Sequence, residues 1–400
     1  MTQKKKPGTP YLKLADTTDL EQIRKTAKHH RKEIYKKSLI TIILAAMIVG
    51  GTYLLLKNQA YTKVHKTASY TKETSDSNWY AQFAEGFVRY SRDGIVYLNR
   101  KNEEMWIQSC QMNNPVIDVN GEVFAVADNG GNSILVFTEK GLKGEIETNL
   151  PIEKMSVSGQ GIVSVILANE ESPMVISYDA TGNILVEHQV TQSSTGYPVA
   201  LDMSADGTML GVSYLTAKDG VLKSKVIYYN FSEKGQEKSD NQVSMEEYSG
   251  SIVPEIFFMN ESVSVAAGDD FFAIYQGKEI PQKKKVVKLN QEIKSVFHSD
   301  RYIGFVLLNK AKSGYEVRLY NQSGKQILNK EFTGEYSNVK MAGNEVIMYS
   351  GSKCCIINKY GVLRFKGDLK IDALEIIPVG NLNKYLVMSA NELRAIYLAG

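Results

Sequence analysis

The sequence predicts an all-β fold, a β-propeller of seven or eight blades with eight preferred, behind one N-terminal transmembrane helix. Three observations carry this expectation. A hydrophobic pentad recurs, beginning at residues 95 (IVYLN), 134 (ILVFT), 175 (VISYD), 226 (VIYYN), 272 (FAIYQ), 317 (VRLYN), 354 (CCIIN) and 394 (RAIYL). Its successive offsets of 39, 41, 51, 46, 45, 37 and 40 residues match the period of propeller blades, each a four-stranded antiparallel sheet. Beyond residue 57 no 3.6-residue apolar spacing is sustained, which argues against a helical solenoid. Ser38 to Leu56, "SLITIILAAMIVGGTYLLL", is a run of nineteen residues without a charge.

Taken in order, residues 1–37 form a basic cytoplasmic segment. It holds eleven Lys/Arg against four Asp/Glu, so that the whole-chain charge of +3 leaves −4 for residues 57–400. Residues 1–16, with two prolines and a glycine, read as disordered. Thr18-Asp19-Leu20-Glu21 reads as a capping box, with Thr and Glu each satisfying a free backbone N–H, so a juxtamembrane helix is expected from about 18. Leu20, Ile23, Ala27 and Ile34 give it only a thin apolar stripe.

Residues 38–56 would span about 28 Å as a helix, close to the ~30 Å of a bilayer core. The run is longer than a signal-peptide h-region, is preceded by 37 residues and has no A-x-A-like site in "TYLLLKNQAY", so a retained single-pass anchor is expected. Arg24, Lys25, Lys28, Arg31, Lys32, Lys36 and Lys37 precede it and Lys57 follows. That imbalance keeps the N-terminus in the cytoplasm and places the C-terminal domain outside the membrane. These basic residues flank the bilayer and can each gain on the order of 1 kcal/mol from anionic headgroups.

Residues 57–79 are a linker in which Tyr61–Lys72, "YTKVHKTASYTK", could supply the last blade's missing outer strand. Closing the ring in this way leaves no free edge. Residues 80–400 are the extracytoplasmic propeller. Its pentads are apolar on both faces, as in Val226-Ile227-Tyr228-Tyr229, which suits a strand covered on both sides by neighbouring blades. Asn, Asp, Thr or Gln usually closes the pentad. Gly141, Gly182, Gly235, Gly277, Gly324 or Gly361 then follows, supplying the turn of a hairpin between the outer two strands. "PVIDVNGEVFAVAD" and "VALDMSADGTMLGVSYL" read as inner hairpins. In the second, Ser204-Ala205-Asp206-Gly207 resembles the S-x-D-G turn of WD40-like and TolB-like propellers, with Asp206 accepting turn amides and Gly207 left-handed.

Chemistry is sparse. H-E-x-x-H, G-x-S-x-G, the P-loop and G-x-G-x-x-G do not occur, and past the span only His65, His188 and His298 remain, far apart. "DNGGN" at 128–132 puts Gly130 where a calcium loop needs an oxygen ligand, and reads as a tight turn. Asn230, Asn260 and Asn321 fit the glycosylation pattern, but Asn230 and Asn321 already serve the repeat as turn residues. Three cysteines, Cys110, Cys354 and Cys355, are too few for a disulfide-built exported domain. Adjacent cysteines in an eight-bladed ring resemble the vicinal disulfide of quinoprotein alcohol dehydrogenases. Neighbouring strand residues point oppositely, however, and the tryptophan repeat of that family is absent: the chain has only Trp79 and Trp106. No catalytic, cofactor or metal residues are therefore assigned, and neither a cofactor nor nucleic acid is expected.

"YSRDGIVYLNRKNEEMW", ending at Trp106, together with the basic tail, the single span and the repeats, resembles the membrane-anchored bacterial propellers of domain of unknown function 5711. The resemblance covers nearly the whole chain and implies a single-pass anchor, a WD40-like or quinoprotein-like propeller and a Gram-positive envelope; it carries no catalytic residue. The function expected is a binding or scaffold module, with an envelope protein or cell-wall polymer as partner. The alternatives are an envelope enzyme with axial residues drawn from several blades, or a ligand sensor relaying to the cytoplasmic helix.

Overall fold

The computed structural model describes all residues except 1–16, 72–77, 170–172, 190–194, 219, 313 and 381. The expected disorder of 1–16 lies outside the described residues, as do the side chains of the capping box at Thr18 and Glu21. The chain forms two units, 1–58 and 59–400. The first is one continuous helix, Thr17–Lys57, of 41 residues. The juxtamembrane segment and the apolar run are thus a single element, long and apolar enough to cross a membrane.

The second unit is an eight-bladed propeller. Eight four-stranded antiparallel sheets follow one another, over 79–109, 115–147, 152–189, 197–249, 255–288, 292–332 and 338–368. The eighth holds 375–399 plus the strand Lys63–Thr71. Lys63–Thr71 is its outermost strand, running antiparallel to Glu392–Ala399 with Lys63 opposite Ala399 and Glu392 opposite Thr71. The residues just after the helix therefore close the ring against the last strand of the chain, as the Tyr61–Lys72 pattern predicts. Trp79–Phe83 opens the first blade.

Every pentad is the third strand of its blade, and in blades 1 to 7 the hairpin to the fourth strand follows it. Its two apolar faces are explained by the core. The buried side chains form eight clusters, and each fills one seam between adjacent blades. Cys354 and Cys355 illustrate the alternation: both are free and buried, the first in the seam between blades 7 and 8, the second in the seam between blades 6 and 7. Val226 and Tyr228 likewise face blade 5 while Ile227 and Tyr229 face blade 3.

Gly235 differs from the other repeat glycines. It sits in a short helix, Glu233–Gln236, inserted after the fourth pentad. A Cβ there would lie 1.6 Å from the Asn230 carbonyl oxygen, so Gly235 permits a close backbone approach, whereas Gly141, Gly182, Gly277, Gly324 and Gly361 have positive φ in their hairpin turns.

Candidate functional site

Strand direction divides the propeller into two faces. Each first strand runs from the face of the blade-to-blade connections to the opposite face. The turns after the first and third strands lie on that opposite face, and the second-to-third turns return to the connection face. The ring-closing strand enters from the side of the first-to-second and third-to-fourth turns, where Gly400 also ends.

That joint is clamped by Arg364, a fully buried side chain. Its Nε donates to Glu345 Oε1 at 3.1 Å and one Nη to the Gln59 carbonyl at 3.0 Å, while the other Nη donates to the Leu382 carbonyl. The guanidinium lies 4.9 Å from the centre of the Tyr61 ring, and the Tyr385 hydroxyl donates to Glu345 Oε2 at 2.7 Å. Sequence reading missed this group because "VLRFKGD" gives no sign that its arginine turns inward.

First strands line the axis, and on blades 2 to 5 polar side chains tie them together. The Val157 N–H donates to Asp118 Oδ2 at 2.7 Å. Ser156 Oγ donates to Asp202 Oδ1 at 2.8 Å and accepts the Met203 N–H at 3.1 Å. The Phe258 N–H donates to Asp202 Oδ2 at 2.6 Å, and Asp118 Oδ1 accepts the Val119 N–H at 3.0 Å. All four carboxylate oxygens thus accept hydrogen bonds from the chain itself. Burial raises the pKa of both acids. Asp202 reaches about 7, from burial first and the Asp118 charge second, against the lowering effect of its hydrogen bonds. The sequence carried a signal for them, an acid inside the apolar runs "PVIDV" and "VALDM".

The connection face is rougher. The hairpin of Met209–Lys218 and Val221–Asn230 has ten residues on each side. It pairs with the first strand of its blade only as far as Leu215, so its tip extends about 10 Å further at ~3.3 Å per residue, carrying exposed Val221 and Leu222. Between blades 6 and 7 a cavity of about 460 Å³ opens beside Tyr315, Phe332 and Tyr336.

The residues singled out from sequence serve the scaffold. Asp206 Oδ1 accepts the Ser204 hydroxyl at 2.7 Å and the Thr208 hydroxyl at 2.9 Å, and Gly207 has φ +69°. Asn321 Oδ1 accepts the Lys325 N–H at 2.9 Å, closing its hairpin turn. In "DNGGN", Asp128 accepts the backbone N–H groups of Asn113 and Asn114 at 2.9 and 2.8 Å. The histidines stack singly: His65 on Tyr397, His188 on Tyr229 and His298 on Phe257. Arg24, Lys25, Lys28, Arg31, Lys32, Lys36 and Lys37 all lie on the first unit's helix and are exposed. Among the described residues no group of three or more His, Cys, Asp or Glu could hold a metal ion.

Comparison with known proteins agrees with this architecture. The family described as "Family of unknown function (DUF5711)" matches residues 57–398. A sequence comparison with curated proteins finds no match. Among solved structures, BamB from Moraxella catarrhalis is similar with a TM-score of 0.53 and 11% identity, over 84% of this chain and 100% of that one. Saccharomyces cerevisiae Sqt1 is similar with a TM-score of 0.56 and 11% identity, over 84% of this chain and 99% of that one. At such identities the likeness is one of fold.

Proposed function

The chain belongs to the DUF5711 family, and from that membership and the fold we propose that it is a membrane-anchored binding or scaffold module of the cell envelope. The N-terminus lies in the cytoplasm, the propeller outside it, and the partner is an envelope protein or cell-wall polymer. The observation that carries this reading is the division of labour between the two faces. The segment by which the chain enters the ring, Gln59 to Tyr61, is fixed by Arg364 on one face of the propeller. The projecting hairpin and the cavity between blades 6 and 7 lie on the other. A closed ring of eight sheets is a rigid platform for such a surface.

The polar groups at the axis fit the same reading. Asp118, Ser156 and Asp202 hold neighbouring first strands in register, so their chemistry is spent on the scaffold. The excess of Lys and Arg before the apolar run supports the orientation.

Cross-linking the intact protein in its own membranes, followed by identification of what co-purifies, tests the proposal, with residues 1–75 alone as the control. A recurrent envelope partner that depends on the propeller is the expected result. Cross-links confined to cytoplasmic proteins, or identical with and without the propeller, would overturn it.

A further inference from the structure

We propose that the cleft between blades 6 and 7 is a binding site for a neutral glycan segment; this rests on the reading of the propeller as an envelope binding module and names the ligand class. Two cavities, of about 460 and 310 Å³, share a wall formed by Tyr315 and Phe332. Both fall at the lower end of the ~300–1,000 Å³ typical of ligand pockets. The larger opens around the connection from blade 6 to blade 7, on the face opposite the entry of the ring-closing strand, and the smaller continues from it along the outer strands to Ile357 and Leu363.

The wall is aromatic and half-buried. The rings of Tyr315 and Phe332 stack with centroids 5.7 Å apart, and Phe332 lies 6.0 Å from Tyr336. Their seam is otherwise filled by fully buried side chains, among them Val317, Leu319, Val346 and Met348. The three rings therefore cap a dry core with flat apolar surface that water still reaches. Tyr336 packs against the buried cluster that contains Cys355.

The rim is made of paired donors and acceptors. Ser337 Oγ donates to Ser350 Oγ at 3.1 Å, and the Tyr315 hydroxyl donates to Glu335 Oε1 at 2.9 Å. Along the second cavity Lys366 Nζ donates to Thr333 Oγ1 at 2.7 Å. A pyranose ring has one face of C–H groups, which packs on an aromatic plane, and a periphery of hydroxyls that each donate and accept. Apolar walls with a few placed polar groups suit that division. Charge selects against ionic ligands: Lys294 and Glu335 stand at the same cavity with opposite sign, and Lys294 is already paired with Glu292 at 2.6 Å.

The test uses the full-length protein in nanodiscs and three probes: chitotetraose, cellotetraose and a tetra-alanine peptide. Binding is followed by calorimetry for the wild type and for Tyr336→Ala, Glu335→Gln and Tyr360→Ala. Tyr360 is an exposed ring in a third-to-fourth turn, on the opposite face. The expected result is that at least one tetrasaccharide binds, is weakened about tenfold or more by both Tyr336→Ala and Glu335→Gln, and is unaffected by Tyr360→Ala. Glu335 is exposed, so Glu335→Gln keeps the test open if Tyr336→Ala loosens the seam. No tetrasaccharide binding at about 10 mM, binding indifferent to Glu335→Gln, or binding of the peptide alone would overturn the glycan assignment. Those outcomes leave the envelope-module reading standing if the cross-linked partner persists, whereas loss of that partner with glycan binding intact would reject the module reading alone.

Discussion

Asp202→Asn should remove a pH dependence built into the axis. Asp202 is the penultimate residue of the first strand of blade 4, Tyr197–Met203, and holds the Phe258 N–H of blade 5 and the Ser156 hydroxyl of blade 3. Burial, with Asp118 nearby, raises its pKa to about 7, whereas an unfolded chain titrates it near 3.9. Between those values the folded protein keeps a proton that the unfolded chain has lost. Stability from this group is therefore complete below about pH 4, falls as pH rises toward 7, and is flat above. A shift of about three units at ~1.36 kcal/mol each sets a ceiling of about 4 kcal/mol. The carboxylate keeps some exposure to the channel, and water there relieves part of the penalty, so about 2 kcal/mol is expected. Asparagine is neutral throughout; its oxygen can accept the Phe258 N–H while its amide donates to Ser156. Melting the detergent-solubilised wild type and variant in parallel from pH 4.5 to 8.5 cancels the titration of distant groups. The variant should melt close to the wild type at pH 4.5 and several degrees above it at pH 8, at about 2 °C per kcal/mol. Parallel profiles, or a variant whose deficit grows with pH, would refute the reasoning.

Other perturbations test other parts of the structure. Arg364→Met leaves Glu345 without its guanidinium and frees the Gln59 carbonyl; a loss of about 3–5 kcal/mol in urea unfolding is expected, and a change below about 1 kcal/mol would show that the clamp is dispensable. Gly235→Ala drives a methyl group against the Asn230 carbonyl and should cost about 1–3 kcal/mol, measured by the same unfolding. In the folded protein a thiol reagent should label only Cys110, slowly, because burial raises the Cys354 thiol well above its ordinary value and the Cys355 thiol to about 11; rapid labelling of two or three thiols before urea is added would contradict their packing.

The repeat was legible because buried strands leave a local mark. A third strand covered on both faces must be apolar at consecutive positions, and its turn must supply Asn or Asp and a glycine, so five letters and a spacing reveal a blade. The ring-closing strand was legible for a different reason: the last repeat holds three strands, and the strand-compatible stretch at 61–72 could supply the fourth that a closed ring requires. The polar interior was not legible. Arg364, Glu345, Gln59 and Tyr385 meet across separations of up to 305 residues, and nothing in the order of their neighbours encodes the meeting. The cleft of blades 6 and 7 likewise draws Ser295, Tyr336 and Ser350 from three separate strands and connections. Gly235 misled because its context matches the repeat, while the inserted helix after Asn230 gives the same residue another task.

The most direct measurement is the topology of the protein in living cells. In a Cys110→Ser background, Lys28→Cys places a thiol on the basic helix and Tyr360→Cys one on an exposed propeller turn, and a membrane-impermeant maleimide then reports which is outside. The expected result is labelling of Tyr360→Cys in intact cells, labelling of Lys28→Cys only after permeabilisation, and a full-length chain in the membrane fraction. Labelling of Lys28→Cys in intact cells, protection of Tyr360→Cys, or a mature chain lacking residues 1–56 would contradict a membrane-anchored extracytoplasmic propeller.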